Sequence, residues 1–152
     1  MTETTKTSSR CECGALELNI KGAPVVQLVC HCSDCQDFSG MPYVEAAFFH
    51  ADDIGVHGRA YATTTMGGTG FDKTYYSCES CRTWLYTTVA ALNGASAVMA
   101  NRLSHDKFEP QVHIWTSEKA KDVVIPTGIA QSSGAPPKEF RDAMVSSFWS
   151  KK

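Results

Sequence analysis

Apolar and polar side chains alternate along most of this chain, and this period of two predicts a protein built mainly from β-strands. Residues 15–20, Ala-Leu-Glu-Leu-Asn-Ile, alternate clearly, and a turn at Gly22 and Pro24 leads into a second strand at 25–29. Six further segments are predicted to be strands, at residues 43–49, 59–66, 73–77, 84–89, 96–103 and 111–116. The predicted fold class is therefore mostly β.

The C-terminal part of the chain has a helical period instead. Phe140, Met144 and Phe148 recur at four-residue spacing after two prolines, which predicts a short helix over about 136–149. We interpret this stripe as a contact with the core, although a homodimer contact would give the same pattern. Residues 1–10 are polar and are predicted to form a disordered tail, which leaves residues 11–152 as a single domain.

Composition and charge disfavour several classes of function. Fourteen Lys and Arg against sixteen Asp and Glu give a formal charge of −2, which argues against a nucleic-acid partner. No apolar run is long enough to span a membrane, and the polar start lacks the apolar segment of a secretory signal, so a cytoplasmic location is expected. Residues 67–70, Gly-Gly-Thr-Gly, are interpreted as a hairpin turn because strand sequence follows them.

Seven cysteines fall in three clusters, and this spacing carries the chemistry of the sequence. An odd number of cysteines without a secretory signal favours metal binding or reactive thiols over disulfides. The outer clusters supply two pairs that together suit a closed structural zinc site, namely Cys11, Cys13, Cys78 and Cys81. The middle cluster supplies three thiolates and one open position, as catalytic zinc sites do, from Cys30, Cys32 and Cys35.

Two alternatives to a pair of zinc sites stay open. One closed zinc site could leave the other cysteines redox-active or idle, or the chain could bind no metal. His31 lies between two predicted ligands in an extended turn, so we expect its side chain to point away from the ion, into a second layer or to the surface.

The cysteine pattern resembles that of the glutathione-dependent formaldehyde-activating enzyme family, which includes centromere protein V. The matching motifs are Cys-x-Cys-Gly at 11–14, Cys-His-Cys-Ser-x-Cys at 30–35 followed by Ser-Gly, Cys-x-x-Cys at 78–81, and Pro-x-x-His-Ile-Trp at 110–115. The resemblance implies small coiled antiparallel sheets stapled by zinc knuckles, with two Zn²⁺ ions per chain. Like the spacing, the resemblance implies a structural site for the four outer cysteines and a catalytic site for the three middle ones.

The resemblance also implies an activity, the addition of glutathione to formaldehyde by a carbon–sulfur lyase working in reverse. Two positions depart from the family pattern: Arg82 stands where Gly is usual, and Asp37 stands where a basic residue is common. Arg82 puts the backbone geometry of the last knuckle in question, because Gly adopts positive φ far more easily. Asp37 would weaken the binding of an anionic substrate such as glutathione.

The general acid or base is not determined by the sequence. The candidates by chemistry are Asp34, Ser39, Tyr43, His50 and His113, of which Ser39 and Tyr43 are also taken as substrate-binding residues. The expected function is thus thiol addition to a small aldehyde. The alternatives are addition or elimination on another small electrophile, and a non-catalytic zinc-stapled binding module.

Overall fold

The structure of the protein, a computed structural model, describes residues 6–66, 72–90, 95–104 and 108–143. In chain order the strands are β1 (Lys6–Arg10), β2 (Glu17–Lys21), β3 (Val26–Cys30), β4 (Val44–His50), β5 (Ile54–His57), β6 (Ala60–Met66), β7 (Asp72–Cys78), β8 (Trp84–Val89), β9 (Ala95–Met99), β10 (Val112–Ile114) and β11 (Ala130–Gln131). Helix α1 spans Ser33–Ser39, and residues 138–143 are helical. The prediction of a mostly β fold is confirmed.

The strands form two sheets. The smaller has the order β1-β2-β5, and the larger has the order β11-β10-β3-β4-β9-β8-β7-β6. Most pairs are antiparallel, as predicted, but β10 lies parallel to both β3 and β11, so the larger sheet is mixed. Periodicity cannot show this, because a strand has the same pattern of buried side chains whichever way its neighbour runs.

The two faces of the larger sheet pack against different partners, and this separates the two groups of cysteines. Alternate residues face opposite ways, so Ala47 and Phe49 of β4 join the core beneath the smaller sheet, together with Leu18 of β2. Ala46 and Phe48 belong to a second core on the opposite face. Cys11 and Cys78 lie in the first core, and the three middle cysteines lie in the second.

The N-terminal prediction was partly wrong, because residues 6–10 are a strand rather than a disordered tail. β1 pairs with β2 along its whole length, and the small polar side chains of Thr7 and Ser9 are buried. The sequence of β1 has no alternation of apolar and polar residues. The strand is therefore stabilised by its backbone hydrogen bonds to β2, which a sequence pattern does not reveal. Residues 1–5 lie outside the described part of the chain.

Helix α1 was also missed. The Cys32 Sγ accepts a hydrogen bond from the Cys35 N–H at its start, and Gly40 ends it with a φ of 72°. Capping by a cysteine is uncommon, and seven residues are too few to display a helical period.

The predicted C-terminal helix is described only in part. Phe140 packs against the second core, in agreement with the interpretation of the aromatic stripe. Met144 and Phe148 lie outside the described residues, as does the predicted turn at 67–70.

Gly58, directly after β5, is the described glycine whose surroundings leave the least room for a side chain. Its φ is 107°, and a Cβ there would lie 2.1 Å from the Ala15 carbonyl oxygen. We expect Gly58→Ala to lower the free energy of unfolding by at least about 3 kcal/mol. Gly128→Ala is the matched control, since Gly128 has a φ of 88° with no atom within 4 Å of its Cβ position, and it should cost about 1–2 kcal/mol. Urea unfolding at constant zinc concentration measures both, and equal losses would contradict the steric argument.

Candidate functional site

The four outer cysteines meet where the two sheets join. Cys11 and Cys13 lie in the turn between β1 and β2, while Cys78 ends β7 and Cys81 lies in the following turn. Their sulfur atoms all lie within 4.8 Å of one another, with 3.6 Å between Cys11 and Cys13 and 3.7 Å between Cys13 and Cys78. The structure therefore brings together the four residues that the sequence predicted.

Backbone and hydroxyl groups surround these sulfurs with hydrogen-bond donors. The Leu16 N–H donates to the Cys11 Sγ at 3.2 Å, and the Cys81 N–H donates to the Cys78 Sγ at 3.5 Å. The Thr83 hydroxyl lies 3.1 Å from the Cys81 Sγ and is the main reason that the pKa of this thiol falls to about 5. Such donors stabilise thiolates, the form in which cysteine binds metal.

Arg82 occupies the backbone position at which the family pattern has Gly. Its φ is 64°, in the left-handed region, and its N–H donates to the Cys78 carbonyl oxygen at 2.9 Å. The guanidinium carbon lies 4.0 Å from the centre of the Tyr61 ring, a cation–π distance worth about 0.5–1 kcal/mol at an exposed site. The knuckle therefore keeps the geometry that suits Gly, and the contact with Tyr61 offsets part of the strain.

The donor set and its spacing fit a tetrahedral zinc ion. A Zn–S distance of about 2.3 Å gives sulfur–sulfur edges of about 3.8 Å in an ideal tetrahedron. The two distances given above are within a few tenths of this edge. Four thiolates close the tetrahedron, so this group suits a structural ion.

The three middle cysteines form a second cluster on the other face of the large sheet. Cys30 ends β3, Cys32 caps α1, and Cys35 lies in its first turn. The sulfur of Cys30 lies 3.3 Å from that of Cys32 and 3.5 Å from that of Cys35, and all three side chains are buried. These distances are slightly shorter than a zinc tetrahedron edge, and the three soft donors would leave its fourth position to another ligand.

Lys73 is a charged residue of this site that the sequence analysis missed. Its side chain is 14% exposed, and its Nζ lies 4.0 Å from the Cys32 Sγ and 3.8 Å from an Asp34 carboxylate oxygen. The alternation of β7 could have revealed it, because Lys73 and the buried Tyr75 are two residues apart and so face the same way.

The electrostatics of the cluster favour one thiolate held by two thiols. Hydrogen bonds from Cys30 and Cys35 lower the pKa of Cys32 to about 2 against the effect of burial, and the Lys73 charge adds to this. Hydrogen bonding to Cys32 and to Cys35, with burial, raises the pKa of Cys30 well above its ordinary value. Burial opposes the charge of Lys73, but the Cys32 and Cys35 sulfurs together with Tyr75 outweigh burial and raise the lysine pKa.

A cavity of about 310 Å³ opens directly beside the three cysteines. Most of its wall is apolar, and besides the cysteines its polar groups come from Lys73, Tyr75, Thr87 and Arg141. Its apolar lining comes from the second core and from residues near the C-terminal segment, including Leu28, Val44, Ala46, Phe48, Ala97, Met99, Ile114, Trp115 and Pro136. A reactive cluster at a largely apolar cavity is the arrangement of many small-molecule sites.

Ser39 and Tyr43 line a different, more open cleft of about 790 Å³. Ser39 ends α1, and its hydroxyl accepts a hydrogen bond from the Met41 N–H at 3.0 Å. Arg82 and Arg102 also line this cleft. Val44, Trp84 and Met99 line both spaces, so they form the wall between the cleft and the cavity. The role of Ser39 and Tyr43 in substrate binding stays a prediction.

The remaining candidates take other positions. The His31 Nε2 lies 2.9 Å from the His113 Nδ1, and both rings are buried. Burial, followed by the nearby His113, lowers the pKa of His31 to about 4, so the His31 ring is uncharged at neutral pH. His31 thus points away from the sulfur cluster, as predicted, but is fully buried. His50 lies at the far end of β4, where its Nδ1 accepts the Asp52 N–H at 3.2 Å.

These features define a small β protein with one closed and one open cysteine cluster. The chain belongs to the glutathione-dependent formaldehyde-activating enzyme family, whose sequence model matches residues 6–118. The family resemblance drawn from the cysteine motifs is therefore confirmed, and it covers most of the chain.

Comparison with solved structures gives a similar fold. A crystal structure of a Rhodobacter sphaeroides protein is 20% identical, with a TM-score of 0.52, and the match covers 66% of this chain and 90% of that one. No curated protein matches the chain. Across the described ranges, no helix is long and apolar enough to cross a membrane.

Proposed function

We propose that this protein is a zinc enzyme that adds a thiol, glutathione, to a small aldehyde such as formaldehyde, a carbon–sulfur lyase acting in the direction of bond formation. The observation that supports this most is the group of three buried cysteine sulfurs at the wall of a cavity. Family membership supports the same substrates.

In this proposal two ions have separate roles. Cys11, Cys13, Cys78 and Cys81 would hold a structural zinc, and Cys30, Cys32 and Cys35 would hold a catalytic one. A zinc ion with an open position supplies Lewis acidity and keeps a substrate thiol in its nucleophilic thiolate form. Both donor sets are composed entirely of thiolates, which favour zinc among the common divalent ions.

The residues of the chain would supply charge balance and a dry environment. Three thiolates and Zn²⁺ sum to −1, and the buried Lys73 ammonium 4.0 Å from Cys32 is the positive charge nearest to them that would balance it. The Asp34 carboxylate, which is partly exposed to solvent, forms an ion pair with the Lys73 ammonium. The apolar wall excludes water, which strengthens electrostatic contacts within the site.

The reaction needs no redox partner. The thiol sulfur forms a bond to the carbonyl carbon, the carbonyl π pair moves to oxygen, and the proton lost from sulfur ends on that oxygen to give a hemithioacetal. Holding the two reactants together converts a bimolecular encounter into an effectively intramolecular one.

The open cleft has charged groups of both signs that suit the body of glutathione, with Glu12 and Glu45 available to its ammonium group. Arg82 and Arg102 offer guanidinium groups for its carboxylates, and Ser39 and Tyr43 offer hydroxyl groups. The cleft shares its wall with the cysteine cavity, so a thiol could extend from one toward the other. Asp37 is exposed on α1 and does not line this cleft.

The proposal is tested by exchange NMR of glutathione and formaldehyde at equilibrium. We expect the zinc-loaded protein to accelerate exchange between free and adduct glutathione by at least about tenfold over the spontaneous rate. S-methylglutathione, which has no thiol, should compete without forming an adduct. An unchanged exchange rate would exclude this reaction, and would leave another small electrophile or a binding module as the function.

A further inference from the structure

We propose that the cavity beside Cys32 takes a carbonyl substrate with an apolar body, aromatic or branched, whose oxygen is held by the Tyr75 hydroxyl and the Lys73 ammonium. This inference rests on the proposed function, because it names the class of aldehyde that the same site accepts. It goes beyond formaldehyde, which has no apolar body.

The floor of the cavity is formed by small side chains in the middle of the large sheet. Ala46 and Ala97 lie on the same face, with each alanine paired across strands to a larger residue. Ala46 faces Met99 and Leu28 in register, and Ala97 faces Phe48 and Thr87. A hollow bounded by larger apolar side chains follows from this pattern.

The size of this hollow exceeds what formaldehyde needs. Its volume of about 310 Å³ lies at the lower end of the range of about 300–1,000 Å³ for ligand pockets. Formaldehyde has a single carbon and a single oxygen, so it would leave most of the apolar wall without contact. Binding energy from a larger apolar body can be used to orient the reacting carbonyl.

The polar end of the cavity has two donors close to the cysteines. Tyr75 is 2% exposed, and the Lys73 ammonium acts on its hydroxyl as a hydrogen-bonding neighbour, although within the described residues no partner meets the ordinary distance and angle limits of a hydrogen bond. A buried hydroxyl whose hydrogen bond is incomplete loses part of about 1–3 kcal/mol, which a ligand oxygen that accepts from it would recover. The Lys73 Nζ lies 5.4 Å from the centre of the Tyr75 ring, and both residues line the cavity.

The charge of the site selects a neutral oxygen. With zinc bound, the three thiolates, Lys73 and the Asp34 carboxylate that pairs with it sum to −1, so a carboxylate held beside the cysteines would add to this negative charge, which is costly. Arg141 is the other cation of the lining. A carbonyl oxygen accepts from both donors without adding charge. The partly negative oxygen that develops during thiol addition would be held more strongly than the ground state.

The first experiment measures binding without turnover, using benzyl alcohol and toluene as unreactive probes of the zinc-loaded protein. Saturation-transfer NMR should detect both, with benzyl alcohol the tighter. Tyr75→Phe keeps the ring and removes the hydroxyl, and we expect it to abolish the preference for benzyl alcohol while toluene affinity is retained. Failure of the native protein to bind either probe would overturn the inference, whatever its activity on formaldehyde.

The second experiment fills the floor of the cavity. Ala97→Leu should lower the ratio of kcat/KM for benzaldehyde over formaldehyde by at least about tenfold, because a misfit of one methylene costs about 10–200-fold in such pockets. Ala62→Leu is the matched control, since Ala62 lies exposed on the edge strand β6, and it should leave the ratio unchanged. Ala46→Val is the smaller second variant if Ala97→Leu does not fold, as judged by melting and zinc content.

The outcomes separate this inference from the proposed function. Probe binding that Ala97→Leu or Ala46→Val abolishes, in a protein that acts on no aldehyde, would support the cavity assignment and overturn thiol addition. Formaldehyde turnover with no probe binding, or with an unchanged benzaldehyde ratio in the Ala97→Leu and Ala46→Val variants, would support thiol addition and overturn the cavity assignment.

Discussion

Cys78→Ser is expected to prevent this protein from maintaining its folded state. Cys78 is almost fully buried in the core beneath the smaller sheet and belongs to the cluster that joins β7 to the β1–β2 turn. Structural zinc contributes about 10–16 kcal/mol in small domains, which equals or exceeds the net stability of about 5–15 kcal/mol of most domains. The variant should therefore show loss of the cooperative melting transition and a shift to aggregates in size-exclusion chromatography.

A matched control lies in the same turn. Ser80 is exposed between Cys78 and Cys81 and contributes no sulfur, so Ser80→Ala should melt within a few degrees of the native protein. The same result for Cys78→Ser would show that the four-cysteine cluster does not carry the fold. Addition of a chelator to the native protein should reproduce the effect of Cys78→Ser and not that of Ser80→Ala.

The four-cysteine cluster has this effect on stability because it lies between the two sheets. The smaller sheet has only three strands, and its contact with the larger sheet depends on Leu16, Leu18 and Ile20. Cys11 and Cys78 complete that contact from opposite sheets, so a metal ion there acts as a cross-link between them. Without the ion, four sulfur atoms within 4.8 Å of one another would instead repel as they ionise.

The sequence was sufficient for the cysteine sites because their information is local. The spacings within 11–13, 30–35 and 78–81 are short enough to place each group on one turn, and only the pairing of the first with the last needed a long-range contact. The zinc preference for four ligands limited that pairing to few solutions. The sequence likewise predicted strands β2, β3, β4, β7 and β8, because each has buried residues on at least one face.

What the sequence did not show depends on distant neighbours. β1 is polar, and it is a strand because it pairs with the edge of β2. The parallel direction of β10 is set by its pairing with β3, in which Val112 lies beside Leu28 from 84 residues earlier. Lys73 looks like an ordinary solvated lysine in a hairpin arm. It becomes part of the site only because β7 brings it to within 4.0 Å of Cys32, which is 41 residues away.

Cys32→Ser should have the opposite signature to Cys78→Ser, with the fold retained and the chemistry lost. Elemental analysis of protein purified without added metal should find about two zinc ions per chain in the native protein and about one in the variant. Exchange between glutathione and formaldehyde should fall by at least about a hundredfold. Asp37→Asn, at an exposed position of the same helix, should keep both ions.

The reason that Cys32 separates the two sites is its position in the second cluster. It caps α1, contacts the Cys30 sulfur and lies beside Lys73, but it has no contact with the four-cysteine group on the other face of the sheet. A serine can still cap the helix, so the loss should be confined to the metal. About one ion in both proteins would mean that the three-cysteine cluster holds no stable metal. Its buried thiols, poised by Lys73, would then be better explained as a redox or binding site than as a zinc catalyst.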